Sequence, residues 1–323
     1  MTDKVHTGSW RAMGCAVDVV IVGGAPDLLD QARTSIDHLE QRWSRFLADS
    51  DISRLNHAAG STIHVDPATV VLMQAMLDGW RATAGVFDPT LLAPLVSLGY
   101  GASWHDPGAV TSLPNGALLR GDLNALSVDR RRNMVGVPQG MCLDAGGIGK
   151  GLAADLVVGH LIDGGANGAL VSIGGDVSMR GEAPQAGGWL VGVADPMNLD
   201  DEVSQLSLLE GGVATSGTLR RRWHAPDGQP VHHLLDPATG RPARHVREIV
   251  AATVIAGTAA WAEVWTKSVM VRGSAMLAVL DEHGLAAQIG YADGSSTVNR
   301  SWSSFVVEQR SNLAGDEVEM IEV

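Results

Sequence analysis

The stretch Leu143-Asp144-Ala145-Gly146-Gly147-Ile148-Gly149-Lys150-Gly151 decides how the rest of the chain is read. One carboxylate is followed by four glycines and a lysine. Cys142 and Leu143 before it read as the end of a strand, and Leu152 to Val158 after it read as a helix. Glycines at such a turn let the backbone approach a ligand, and a helix N-terminus offers free N–H groups to an anion. Asp144 and Lys150 add one negative and one positive handle. A P-loop needs glycine at position 144 and Ser or Thr after the lysine, where this chain has Asp144 and Gly151. The Rossmann spacing is not supplied by Gly147, Gly149 and Leu152. What remains is a phosphate-type loop of another kind, or a tight turn that only needs glycine.

Outward from this loop, hydrophobic period and turn chemistry place the other elements. Residues 15–22 read as a strand, and Leu28, Ala32, Ile36, Leu39 and Trp43 recur at helical spacing up to about Arg45-Phe46. Asp49 to Asn56 reads as a polar loop. Asp66-Pro67 is an N-cap and N1 proline for a second helix. Phe87-Asp88-Pro89-Thr90 opens a loop or short helix leading to Leu98-Gly99-Tyr100-Gly101, and residues 102–135 read as irregular and peripheral. Strands are expected at 169–173, 189–194, 205–209 and 249–256, with a final strand at 286–289. A small-residue segment covers 213–217, and helices are expected at 258–270 and 275–280. Strands and helices mix without strict alternation, which predicts an α+β or mixed α/β fold with antiparallel strands in the second half.

The 323 residues are 45% hydrophobic and 18% charged, a globular composition with room for a substantial core. A formal net charge of −13 and no long basic run argue against nucleic-acid or acidic-membrane binding. Acid collects in a tail at 314–323 (Asp316, Glu317, Glu319, Glu322). Cys15 and Cys142 are expected as buried free thiols, and no Cys/His cluster suggests zinc. The N-terminus has no apolar core or lipid-attachment cysteine, and no apolar run is long enough to span a bilayer, so the expectation is a soluble, cytoplasmic chain.

Few residues stand out as candidates for chemistry. His233 precedes Leu234-Leu235-Asp236-Pro237, and in a strand it shares a face with Leu235. Histidine suits general-base work near neutral pH, although a lone histidine is often structural. Glu263 and Lys267 are four apart on a helix, either a surface ion pair or, given their apolar flanks, a pair pointing into a site. Arg220-Arg221-Arg222 could grip phosphates or form a solvated turn. Asp88, Asp144, Asp176 and Asp236 all sit within two residues of Gly or Pro, where some must be plain caps.

Taken in order from about Met13 to Gly273, these segments resemble the ApbE family of FAD:protein FMN transferases. The resemblance is carried by Met13-Gly14, Ser50 to Asn56, Phe87-Asp88-Pro89-Thr90 with Pro94-Leu95-Val96, and Leu143 to Gly151. It continues through Ser172 to Asp176, Ala214 to Gly217, His233 to Gly240, and Thr253 to Ala256 with Ala262-Glu263. It implies an α+β fold, T-fold-like and two-lobed with mixed sheet and helix, in a single domain over 1–323. It implies FAD and magnesium as cofactors. The implied reaction cleaves FAD, releases AMP and attaches FMN to a Thr or Ser of a target flavoprotein. By position, Met13, Phe46, Leu98, Gly99, Tyr100, Asp144, Lys150 and Leu235 would line the FAD site, with Lys267 on phosphate. His233 would be the catalytic base, and Gly147 (through its carbonyl), Glu263 and Thr266 would serve the metal.

The resemblance breaks at two places. The family's helix reads Ala-Asp-Ala-Leu-x-Thr, where this chain has Ala262-Glu263-Val264-Trp265-Thr266-Lys267. Glutamate replaces aspartate and lysine takes the threonine position. Mg²⁺ demands short, near-octahedral oxygen ligands, and a protonated lysine supplies none. Lys267 is therefore expected to replace the cation in part. The family's tryptophan before Gly-aromatic-Gly is also absent at Leu98-Gly99. Two alternative activities follow: an FAD pyrophosphatase releasing FMN and AMP, or a non-catalytic FAD-binding protein.

Overall fold

Eight strands lie side by side in the order in which the chain makes them. They are β1 (Val5–Ala12), β2 (Cys15–Val22), β3 (Gly168–Ile173), β4 (Asp176–Gly181), β5 (Gly211–Gly217), β6 (Ile249–Ala256), β7 (Ala286–Tyr291) and β8 (Ser296–Val298). Each pairs antiparallel with the next, so the antiparallel character expected only in the second half runs through the whole sheet. The computed structural model describes residues 4–245, 248–307 and 321–322.

Two insertions build the helical layer. Between β2 and β3 come α1 (Leu28–Trp43), α2 (Asp51–His57), α3 (Pro67–Ala82), α4 (Leu92–Ser97) and α5 (Gly149–Asp163). Between β6 and β7 come α6 (Ala259–Arg272) and α7 (Met276–Glu282). Side chains alternate across a strand. Val19, Ile21, Val171 and Ile173 thus pack with Ile36, Met73, Ala154 and Val157 of the helices. Val20, Val22, Leu170, Val177, Met179 and Val213 face the opposite way. There they meet Trp189, Val191, Leu206 and Leu208 of a three-stranded sheet formed by Trp189–Ala194, Glu202–Leu208 and Ile321–Glu322. The result is a helix, sheet, sheet sandwich of α+β class. Because β3 and β6 are covered on both faces, they are apolar along nearly their whole length rather than alternating.

Several expectations need correction. Asp49 to Asn56 is not a loop, because Ser50 caps α2 by accepting from Ser53 N at 3.1 Å. Cys142 and Leu143 form no strand and lead into a 3-10 turn at Ala145–Gly147, after which α5 starts at Gly149. The segment 213–217 is the interior strand β5, and β8 follows the strand expected to be last. The strand expected at 205–209 is Glu202–Leu208. Both cysteines are free, Cys142 buried and Cys15 only partly so. Most of the acidic tail at 314–323 lies outside the described residues.

Candidate active site

The glycine loop is fixed from below. Asn56, delivered by α2, donates to Leu143 O at 2.9 Å and accepts from Leu143 N at 2.7 Å. Asp144 N donates to Pro89 O at 2.9 Å. Asp88 holds its own turn by accepting from Thr90 N, and it pairs with Arg120 at 2.8 Å. Asp144 is partly a turn former, accepting from Gly146 N at 3.0 Å, and its other oxygen lies 3.4 Å from Arg45 Nε.

At Gly151 the loop meets α6. A Cβ there would stand 2.5 Å from the Ala259 carbonyl oxygen, so only glycine allows the two helix N-termini to touch. The termini cap each other. Asp155 of α5 accepts from Ala259 N and Ala260 N, both at 2.9 Å, while Glu263 of α6 accepts from Gly151 N at 2.9 Å. Gly147 is less tightly held, since a Cβ there would come 3.1 Å from the Phe87 ring.

Four charges meet at this junction. Lys150 Nζ bonds Asp176 and lies 3.3 Å from Glu263 Oε1, and Lys267 Nζ lies 3.1 Å from the same oxygen. Glu263 is fully buried, so the surface ion pair is excluded as a reading of the Glu263–Lys267 spacing. Burial pushes the Glu263 carboxyl up, but Lys150, Lys267 and the Gly151 N–H bring it down to about 2. Burial and the nearby Glu263 push Asp176 up to about 6, against the pull of Lys150. Burial lowers Lys150, yet Asp176 and Glu263 more than offset it and hold the ammonium above its ordinary value. Lys267 stays below its ordinary value because burial outweighs Glu263 and Asp176.

Above these charges opens a cavity of about 610 Å³, within the size range of small-molecule sites. Met13, Phe46, Tyr100, Asp144, Gly147, Lys150, His233, Leu235 and Lys267 all line it. Met13 reaches it from the β1–β2 turn, where Met13 and Gly14 have φ of 50° and 68°, as a two-residue hairpin requires. Leu98 and Gly99 do not line it. The Leu98 carbonyl instead accepts from Trp223 Nε1 at 2.7 Å. Nor does the structure place Thr266 there: its hydroxyl donates to Glu263 O at 2.7 Å and lies 2.7 Å from Ser216 Oγ, inside the sheet–helix packing. The segment 102–135 is not peripheral throughout, because Ser103, Trp104, His105 and Asp106 form part of the wall.

His233 stands on the wall where the sequence places it, but not in a strand. The chain bends there, so His233, Leu234 and Leu235 all line the cavity. Its Nδ1 is buried with no hydrogen-bond partner among the described residues. Burial, then Arg221, Lys267, His232 and Lys150, hold the imidazole well below its ordinary pKa and therefore neutral at pH 7. The arginine run divides. Arg221 lines the cavity, whereas Arg222 donates to Thr218 O and pairs with Glu248 on the surface.

Sequence reasoning placed Phe46 and Tyr100 at the cavity but missed Arg45 and the tryptophans that complete its aromatic end. Tyr100 has Phe46 and Trp104 at 6.2 Å and Trp223 at 5.4 Å between ring centroids. Arg45, nearly buried, lies 4.2 Å from the Phe46 ring and 4.7 Å from the Tyr100 ring. It also donates to Thr111 Oγ1 at 2.6 Å. The Arg45-Phe46 dipeptide after a helix and Tyr100 between two glycines are the local signals for this end.

A family model described as the ApbE family matches residues 13–289. The chain belongs to the ApbE family. Among its relatives, the FAD:protein FMN transferase of Escherichia coli K12 is 27% identical over 314 residues, covering 94% of this chain and 87% of that protein. The FAD:protein FMN transferase of Klebsiella pneumoniae strain 342 is 30% identical over 308 residues, covering 91% and 84%. The ApbE protein of Thermotoga maritima superposes with a TM-score of 0.81 at 26% identity, covering 94% of this chain and 100% of that one. The flavinyl transferase ApbE of Pseudomonas stutzeri, in its apo form, gives 0.77 at 26%, covering 94% and 97%.

The donor set does not fit the magnesium that this family implies. Both Glu263 oxygens already accept from N–H groups, the Thr266 hydroxyl is turned into the packing, and Lys267 brings an ammonium to the same spot. Among the described residues, no group of three or more His, Cys, Asp or Glu is placed to hold a metal ion. No described helix is long and apolar enough to cross a membrane.

Proposed function

We propose that this chain is an FAD:protein FMN transferase, moving FMN from FAD to a Thr or Ser hydroxyl of a target flavoprotein. The observation that carries this reading is His233, a neutral imidazole on the wall of the same cavity as Lys150, Lys267 and the Leu143–Gly151 loop. FAD would lie among Met13, Phe46, Tyr100, Asp144, Lys150, Leu235 and Lys267, its flat rings against the aromatic end and its pyrophosphate near the lysines. The acceptor hydroxyl is too weak an acid to attack unaided. His233 takes its proton as the oxygen forms a bond to the flavin-side phosphorus. The bond from that phosphorus to the bridging oxygen breaks, AMP departs with the electron pair, and the proton passes from His233 to solvent. Phosphoryl transfer of this kind depends on positioning and charge neutralisation, which the lysines and the loop N–H groups supply.

The test is intact mass of a candidate acceptor domain after incubation with FAD and Mg²⁺. The wild type should add one FMN-sized increment. His233→Ala should lose the gain by roughly 10² to 10⁴-fold in rate while still binding FAD. An unchanged acceptor beside accumulating AMP would replace this reading with FAD hydrolysis, and intact FAD throughout would replace it with flavin binding alone.

A further inference from the structure

Lys150, Lys267, Glu263 and Asp176 form a closed set of two ammoniums and two carboxylates. Glu263 Oε1 faces both lysines, at 3.3 and 3.1 Å, and Oε2 takes the Gly151 N–H. Asp176 is engaged by Lys150. A dication entering here would have to displace an ammonium from a fully buried glutamate and would sit against the ammonium that remains. Both lysines nevertheless reach the cavity wall beside Gly147, whose added Cβ would stand 3.9 Å from Lys267 Cε. Arg221 lines the same cavity and forms no ion pair among the described residues. Lys150, Lys267 and Arg221 thus put three cationic side chains on the cavity wall, and the two lysines are oriented by carboxylates behind it.

We propose that Lys267, seated on Glu263, acts with Lys150 and Arg221 in place of a divalent cation, so that this chain binds and cleaves the FAD pyrophosphate without a metal. The inference rests on the transferase reading for its substrate. An ammonium is a point charge with three donors, suited to phosphoryl oxygens. Glu263 is on this view a positioning residue for Lys267 rather than a metal ligand.

Two measurements test this on the intact chain, each with excess EDTA and with Mg²⁺: FAD affinity from flavin fluorescence, and AMP release. Both should be the same in the two conditions. Lys267→Met should weaken FAD binding and slow AMP release on the order of a hundredfold in both, and Lys267→Arg, which keeps a cation, should recover part of the loss. Wild-type affinity and cleavage that collapse in EDTA and return with Mg²⁺ would overturn the inference. So would a folded Lys267→Met with unchanged affinity and cleavage. AMP release without FMN on the acceptor sinks only the transferase reading and leaves the metal result readable. Should AMP appear in neither condition, the FAD titrations with and without EDTA still decide.

Discussion

The central strands of the eight-stranded sheet are buried on both faces, and the helix-covered face encloses a cluster of charges as well as apolar packing. Strand β4 shows the contrast residue by residue. Val177 and Met179 point into the second sheet, among Trp189, Leu206 and Trp302. Asp176 points the other way, to Lys150 and the helix N-termini. One face is sealed mainly by apolar packing, with neutral Thr253 and Gln288 beside it, while the other encloses two carboxylates and two lysines that sum to no net charge. Buried charges are tolerable only when paired, so the charged face is a construction in which no member can be removed cheaply. Glu263→Ala should break it most severely. It leaves Lys150, Lys267 and the Gly151 N–H without their acceptor, and a loss of about 3–5 kcal/mol in urea unfolding is expected. An unchanged midpoint would show that the pairing is not what holds α5 to α6.

The apolar face should answer differently. Met179→Ala removes a buried side chain packed against the second sheet, with an expected loss of about 2–5 kcal/mol from cavity formation. FAD affinity per folded molecule should not change, because no group of the cavity wall is touched. Altered affinity in Met179→Ala, measured by flavin fluorescence well below its unfolding midpoint, would mean that the two faces are coupled through the sheet.

The same contrast explains what was legible in the sequence. β2, α1, α3, β6 and most of α6 follow from hydrophobic period and caps, since packing is a local pattern repeated along the chain. β1 escaped because Val5 to Ala12 alternates only weakly and carries Gly8 against Leu29. α2 was hidden by its polar residues, which serve tertiary contacts: Asp51 accepts from Arg54, Thr69 and Asp66 N, and Asn56 braces the glycine loop. His233, Lys150 and Lys267 were legible as candidates through the order of motifs. Their meeting was not, because Lys150 and Glu263 are joined only by the reciprocal capping of α5 and α6. The Arg45 cluster was illegible for the same reason, its partners lying at Tyr100, Thr111 and Asp144. Thr266 looked like a ligand from its neighbours in sequence, but a helix turns the next side chain by about a quarter-circle, and that is enough to aim it at Ser216.

The smallest expected effect is a shift in the pH profile, and it belongs to the charged face alone. His233 is held well below its ordinary pKa by burial first and by Arg221 next, with Lys267, His232 and Lys150 adding to it. A base must be unprotonated to work. A depressed pKa therefore keeps kcat/KM for FAD level through neutral pH and lets it fall only on the acid side, below the usual histidine range. Arg221→Gln removes one positive neighbour but not the burial, so the His233 pKa should rise part of the way back. The acid limb should then move to higher pH, by no more than about one unit, or roughly 1.4 kcal/mol of interaction. Met179→Ala, on the other face of the sheet, should leave the limb where it is. A limb that moves in both variants would point to a general loosening of the fold, and one that moves in neither would mean that a group other than His233 is titrating.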